Sequence, residues 1–236
     1  MKLSVLMPVY NEVGTLEEAV HRVRAVRLPK EIIIVDDAST DGSRELLQRI
    51  EREIQQARDP LNEIKACFQP VNRGKGAAIK SGVAYVTGDV VIIQDADLEY
   101  DPQDYMKLLD PILNGQADVV YGTRFYGSSP HRVLFFWHYL GNQLLTFFSN
   151  MLTNINLSDM EVGYKVFKSE ILKGINIESK RFGFEPEITV KVAKRGCRIY
   201  EVPISYHGRT YAQGKKITWK DGFAAFYSLI RFRLKG

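Results

Sequence analysis

Apolar runs of strand length constrain this chain more than any other feature. KLSVLMPVY (2–10), EIIIVDD (31–37) and DVVIIQDAD (89–97) are rich in β-branched residues and reserve most of their charge for their ends. Strands that are apolar on both faces belong in a parallel sheet covered by helices on both sides, because a solvated face would show alternation. Helical periodicity fills the intervals at 13–26, 42–57 and 73–86, and NEIKACFQ (62–69) reads as a further strand. A helix near 103–113 and a strand ADVVYGTRF (117–125) complete a first half of alternating strands and helices. The pattern predicts an α/β fold with a mostly parallel central sheet.

The second half is less regular. Residues 131–157 read as one or two amphipathic helices and MEVGYKVFK (160–168) as a short strand or turn. A helix over 183–196, a strand over 197–209 and a last aromatic, basic helix follow. Without a repeat, a low-complexity tract or a linker, one domain is expected over the 236 residues. Cys67 and Cys197 lack CxxC spacing, which argues against a disulfide or zinc framework and for a reducing compartment. Met1-Lys2-Leu3 runs straight into a strand, so no signal peptide is expected.

In parallel α/β sheets, ligands bind beyond the carboxyl ends of the strands. Polar groups collect there: Asn11-Glu12, Asp36-Asp37, Asn72-Arg73, and Asp95 with Asp97. Asp95-Ala96-Asp97, with Glu99 two residues on, can hold a divalent cation, since Mg²⁺ and Mn²⁺ take oxygen ligands. The plainer reading is a solvated acidic turn before Asp101-Pro102. A carboxylate of VDDASTDGS (35–43) can accept from a base or a ribose hydroxyl, or cap the next helix. In NRGKGAAIKSG (72–82), Gly74 and Gly76 flank Lys75 where phosphate could meet a helix start, although the stretch is no Walker A motif. A dinucleotide-binding G-x-G-x-x-G is absent after the first strand, where Asn11-Glu12-Val13-Gly14 stands.

Together MPVYNE, VDDASTDGS, NRGKGAAIKSG, QDADLEYDP and YGTRF, in this order, resemble the inverting family 2 glycosyltransferases of GT-A fold. DMEVGYKVF, RFGFEPEITVKVAK and HGRTYAQGKKITWKDG are similar to the polyprenyl-phosphate branch, which includes dolichyl-phosphate mannose and glucose synthases. The resemblance spans nearly the whole chain. It implies a nucleotide-sugar donor, UDP- favoured over GDP-, a Mg²⁺ or Mn²⁺ ion, and transfer to a polyprenyl phosphate. It divides the domain into a nucleotide-sugar half (1–125) and an acceptor half (126–236). Carried over by motif, Pro8, Tyr10, Glu12, Val35 and Asp37 line the nucleotide-sugar pocket, to which Lys75 adds the cation of the NRGKG stretch. Asp95, Ala96 and Asp97 touch ribose and diphosphate, and Asp97 with Asp95 and Glu99 holds the metal. Arg124 faces the acceptor phosphate, and Arg209 and Lys215 belong to a basic loop that closes over the diphosphate.

Asp159 stands where many members of the family carry a general base. A sugar-hydroxyl acceptor needs one, whereas a phosphate is already ionised, and Asp159 would then orient the acceptor. A hydroxyl of a polysaccharide or glycolipid precursor is the alternative acceptor, and a non-catalytic nucleotide-binding module is the alternative outside catalysis.

VLFFWHYLGNQLLTFFSNML (133–152) is too apolar for an exposed helix, yet His138, Asn142, Gln143 and Asn150 interrupt any membrane span. Trp137 and Tyr139 suit a bilayer interface, as does the C-terminal mix of Phe223, Phe226, Tyr227, Arg231 and Arg233. A peripheral protein on the cytoplasmic membrane face is expected, with a homo-oligomer as a compatible use of that surface. The net charge of +4 calls for no nucleic-acid partner.

Overall fold

The computed structural model describes residues 1–57, 59–125, 132, 135–181, 183–210 and 219–235. The first half alternates as the apolar runs predict: β1 (Leu3–Val9), α1 (Leu16–Ala25), β2 (Lys30–Asp36), α2 (Ser43–Ala57), β3 (Asn62–Phe68), α3 (Lys75–Val83), β4 (Val90–Ile93), α4 (Tyr105–Leu113) and β5 (Val119–Thr123). The second half adds α5 (Phe136–Thr153), β6 (Lys165–Lys168), α6 (Ser169–Lys173), α7 (Phe184–Lys194), β7 (Ile199–Pro203) and α8 (Trp219–Leu234).

These strands form one seven-stranded sheet in the order β3-β2-β1-β4-β6-β5-β7. All neighbours are parallel except β6, which runs antiparallel to both β4 and β5. β2 is buried along its whole length and β4 on every residue, which is why neither shows alternation. β4 stops at Ile93, short of the expected Asp97, and Gln94 follows it as a hydrogen-bonded corner. Its amide oxygen accepts from the hydroxyls of Tyr105 (2.7 Å) and Tyr164 (2.6 Å), and its amide nitrogen donates to the Asp95 carbonyl (2.9 Å).

At the amino end of the sheet, Glu31 is buried and fully bonded. It accepts from Ser4 Oγ (2.5 Å), Thr87 N (2.6 Å), Thr87 Oγ1 (2.5 Å) and Gly88 N (3.1 Å). Burial alone would raise its pKa, but the bonds from Ser4 and Thr87 outweigh it and hold the carboxyl down at about 2. A group depressed on folding stabilises the fold above its unfolded pKa, and that stability is lost as pH falls towards the folded value. A shift from 4.5 to about 2 corresponds to roughly 3 kcal/mol. Glu31→Gln should therefore lower the urea midpoint at pH 7, and the gap from the parent protein should narrow between about pH 4.5 and 2. An unchanged gap across that window would refute the assignment.

Candidate active site

The loops beyond the carboxyl ends of β1, β2, β4 and β5 meet the segments around residues 159 and 209. After β1, Asn11 adopts a left-handed conformation (φ 54°), and its amide oxygen accepts from Thr40 N (2.8 Å). That bond stitches the β1 and β2 loops together and aims Glu12 across the sheet. After β4, Leu98 is also left-handed (φ 63°), an uncommon conformation for a branched side chain. This turn lets Asp97 and Glu99 reach the same cation. Arg209 Nη2 lies 2.9 Å from Asp97, Nη1 3.3 Å from Glu12 and Nε 3.6 Å from Glu99, whose Oε1 also accepts from Arg209 N (2.8 Å). Burial together with the charges of Asp95 and Glu99 pushes Asp97 up to about 7, with Arg209 opposing the rise.

Asp95 faces a different cation. Lys75 Nζ sits 2.9 Å from Asp95 and 2.9 Å from Glu185, in the first turn of α7. Burial would lower the Lys75 pKa, but the two carboxylates raise it, so the ammonium is permanently charged. Gly163 makes room for this arrangement: a Cβ there would overlap Asp95 Oδ2 and the Tyr100 ring. Nothing local in the sequence joins Glu185 to Lys75. Removing one partner of a buried ion pair costs about 3–5 kcal/mol. Glu185→Ala is thus expected to destabilise the protein by about 3 kcal/mol and Glu185→Gln by less, read from urea unfolding. An Ala variant as stable as the parent would mean that Asp95 alone holds Lys75.

The glycines of the NRGKG stretch serve packing. Gly74 (φ 91°) and Gly76 lie so close to residues 179–181 that a Cβ on either would strike their backbone. Asp37 shapes the same loop, since its carboxylate accepts from Arg73 N (2.9 Å) and Gly74 N (2.6 Å). Its neighbour Asp36 turns to Arg44 Nε (2.9 Å) instead. Pro8 pairs with Val35 across β1 and β2. Val35 and Ala96 have side chains buried in the core, while Tyr10 is exposed. Lys215 lies outside the described residues.

On the other side of the DAD turn, Arg124 and Asp159 form a bidentate pair. Arg124 Nε and Nη2 donate to the two Asp159 oxygens at 2.6 and 2.7 Å, and Asp159 is fully buried. Asn142 Nδ2 adds a third side-chain donor at 3.1 Å. The interruptions in the apolar stretch now have a reason. Asn142, Gln143, Thr146 and Asn150 fall on one stripe of α5, and each bonds to the 157–160 segment that carries Asp159. From β7, Glu201 accepts from Ser158 N (2.8 Å) and Asp159 N (3.2 Å) and braces that segment. The opposite stripe of α5 is bare: Trp137 is 76% exposed, and Phe136, Leu144, Phe147 and Met151 are exposed as well. α8 packs beside it through Phe148 against Phe226 (5.1 Å) and leaves Phe223, Tyr227 and Leu234 exposed. Among the described residues, no helix is long and apolar enough to cross a membrane.

Among the described residues, no three acidic, histidine or cysteine side chains cage a metal by themselves. Asp95 is turned to Lys75, and Asp97 and Glu99 to Arg209. The donor set nevertheless fits Mg²⁺ or Mn²⁺, which need only one or two carboxylates beside phosphate and water ligands. A full cationic group already sits among Glu12, Asp97 and Glu99, so their grouping accommodates positive charge.

Comparison with known proteins shows the family and the fold. The model of the family described as "Glycosyl transferase family 2" matches residues 4–175. An undecaprenyl-phosphate mannosyltransferase of Micrococcus luteus is 27% identical over 91% of this chain and 87% of its own. A UDP-N-acetylglucosamine–dolichyl-phosphate N-acetylglucosaminyltransferase of Methanococcus voltae is 27% identical over 98% of this chain and 95% of its own. Among solved structures, the glucosyl-3-phosphoglycerate synthase of Mycobacterium tuberculosis, in complex with Mn²⁺, UDP and phosphoglyceric acid, superposes with a TM-score of 0.73. It is 18% identical and covers 99% of this chain and 78% of its own, a likeness of fold.

Proposed function

This chain belongs to the family 2 glycosyltransferases of GT-A fold, and from that premise we propose that it moves a sugar from a nucleotide-sugar, UDP- rather than GDP-, onto the phosphate of a polyprenyl phosphate at a membrane surface. The observation that carries this reading is the state of Asp159. Both its oxygens are held by Arg124, and Asn142 shares one of them, so the carboxylate at the family's base position is engaged by a guanidinium. A sugar hydroxyl would need a carboxylate to take its proton as the bond forms. A phosphate monoester attacks as an anion and needs a cation to orient it, which Arg124 provides through planar, paired N–H donors.

On the donor side, Asp97 with Asp95 and Glu99 would hold Mg²⁺ or Mn²⁺, the DXD arrangement of the family. When bound, that ion offsets the charge that develops on the nucleoside diphosphate as it leaves. Lys75, fixed between Asp95 and Glu185, contributes a second cation. Arg209, paired with Asp97 and Glu99, would supply a further cation for the diphosphate when those carboxylates hold a metal. The UDP preference is supported by the nucleotide named for the Methanococcus relative and for the solved synthase. The lipid acceptor is supported by the names of both curated relatives and by the bare stripe of α5, which begins next to the Arg124 side of the site.

The test mixes the protein with Mn²⁺, a short polyprenyl phosphate and labelled UDP- and GDP-sugars, then extracts into organic solvent. Label in the organic phase that disappears on chelation is expected. An empty organic phase with nucleotide binding intact would move the reading to a hydroxyl acceptor or to binding without turnover. The membrane half has its own test. Each large apolar side chain returned to water forfeits roughly 1.5–3 kcal/mol. Changing Trp137, Phe147 and Met151 together to serine should therefore lower binding to anionic vesicles at least about tenfold without lowering Tm. Unchanged vesicle binding, with a loss of dimer in solution, would assign the stripe to a homo-oligomer instead.

A further inference from the structure

Two charged clusters flank the reaction site: Glu12, Asp97, Glu99 and Arg209 on the donor side, and Arg124 with Asp159 on the acceptor side. Tyr206 touches both. Its hydroxyl donates to Glu99 Oε2 at 3.0 Å, and the Arg124 guanidinium carbon lies 5.1 Å from its ring centroid. Its own backbone is fixed by an antiparallel bridge to Tyr100 and by a bond from Arg132 N to its carbonyl (3.2 Å). The Tyr100 ring packs 5.5 Å from it and is itself stacked on Tyr164 at 4.7 Å. The Tyr206 ring is therefore held at its backbone, at its hydroxyl and by a neighbouring ring.

We propose that Tyr206 is a positioning residue for the acceptor phosphate: its ring holds the Arg124 guanidinium in place, and its hydroxyl ties that support to Glu99 of the donor cluster. The inference rests on the reading of Arg124 as the acceptor's cation. Arg124 spends Nε and Nη2 on Asp159, which fixes one edge of the guanidinium and leaves Nη1 off that carboxylate. Edge bonds to a single carboxylate still allow the plane to rock. A ring at cation–π distance, on a side chain anchored at three points, restrains that motion, and a planar donor must be held if it is to meet a tetrahedral anion with defined geometry. Sequence alone offers no sign of this role, because Tyr206 reads as one more aromatic in a strand-like stretch, CRIYEVPISYHGR.

The experiment compares Tyr206→Phe, Tyr206→Leu, Arg124→Met and the double variant Arg124→Met/Tyr206→Leu, using a short polyprenyl phosphate as acceptor and measuring both KM values, kcat and Tm. Tyr206→Leu is expected to raise the acceptor KM about five- to tenfold and the donor KM less than about twofold. Tyr206→Phe keeps the ring and should restore the acceptor KM to within about twofold of the parent. The double variant should be no worse for the acceptor than Arg124→Met alone, since Tyr206 acts through Arg124. If Tyr206→Leu does not fold, Tyr206→Met fills the space without a ring face and takes its place. An acceptor KM unmoved by loss of the ring, or Phe and Leu variants that raise both KM values alike, would overturn the proposal. If Arg124→Met itself leaves the acceptor KM unchanged, the phosphate-cation reading fails first and this inference falls with it. If Arg124→Met raises it and Tyr206→Leu does not, only the role of Tyr206 is lost.

Discussion

Asp97→Asn should lower sugar transfer at least about a thousandfold while leaving the metal-free protein as stable as its parent or more so. The two halves of this expectation share one cause. Asp97 is crowded by Asp95 and Glu99 in a buried setting, and its pKa is pushed up to about 7. A carboxylate with so raised a pKa is a net burden on the fold, relieved in part by Arg209 at 2.9 Å. Asparagine removes the repulsion, keeps the shape and can still accept the bond that Asp97 takes from Glu99 N. The cost appears when a divalent cation arrives, because a neutral amide is a poorer ligand for Mg²⁺ or Mn²⁺ and does not balance their charge. The parent should therefore show a Tm that rises on adding Mn²⁺ with UDP, and the variant a flat response. Retention of more than a tenth of the parent rate at saturating Mn²⁺ would remove Asp97 from the metal site. A large fall in the metal-free Tm would show that its bond to Arg209 matters more than the crowding around it.

The sheet was readable because burial on both faces leaves a mark on composition: β1, β2 and β4 each carry an unbroken apolar run through their covered middles. The charged turns were readable too, since Glu12 follows β1, and Asp95 and Asp97 follow β4, just past the apolar runs. Direction and partnership were not. β6 is a four-residue strand whose composition says nothing of running antiparallel between β4 and β5, because its direction follows from the path of α5 and the 154–164 segment. The interruptions of α5 were visible as polar residues, but their function as a ladder to the Asp159 segment depends on where that segment lies. Lys75 and Glu185 are far apart in the chain, and no local pattern joins them. Gly74 and Gly76 illustrate a residue type with two compatible tasks. Glycines beside a lysine at a helix start suit phosphate, yet their immediate task here is close packing on residues 179–181. Sequence records what a residue must be compatible with; which of several compatible tasks it performs depends on contacts made across the fold.

Asp159→Asn separates the two acceptor chemistries more sharply than any other single change. In the parent, a fully buried carboxylate holds Arg124 through two bonds of 2.6 and 2.7 Å. Loss of its charge leaves a guanidinium, with only 15% of its side chain exposed, without its counterion. Breaking such a pair costs about 3–5 kcal/mol, so Tm should fall by several degrees or more. Arg124→Met leaves the opposite charge stranded and should cost a similar amount. Arg124→Met/Asp159→Asn strands neither, and its stability should recover well above the sum of the single losses. For a phosphate acceptor, Asp159→Asn lets Arg124 drift, so the acceptor KM rises while kcat at saturating acceptor falls less than about tenfold. For a hydroxyl acceptor, the same variant removes a general base, and kcat falls by about 10²–10⁴ whatever the acceptor concentration. Collapse of kcat with the acceptor KM unmoved would therefore refute the phosphate reading, even if the stability cycle behaved as expected. A raised acceptor KM with kcat largely kept would make Asp159 the partner that holds Arg124 for the incoming anion, and no longer a base.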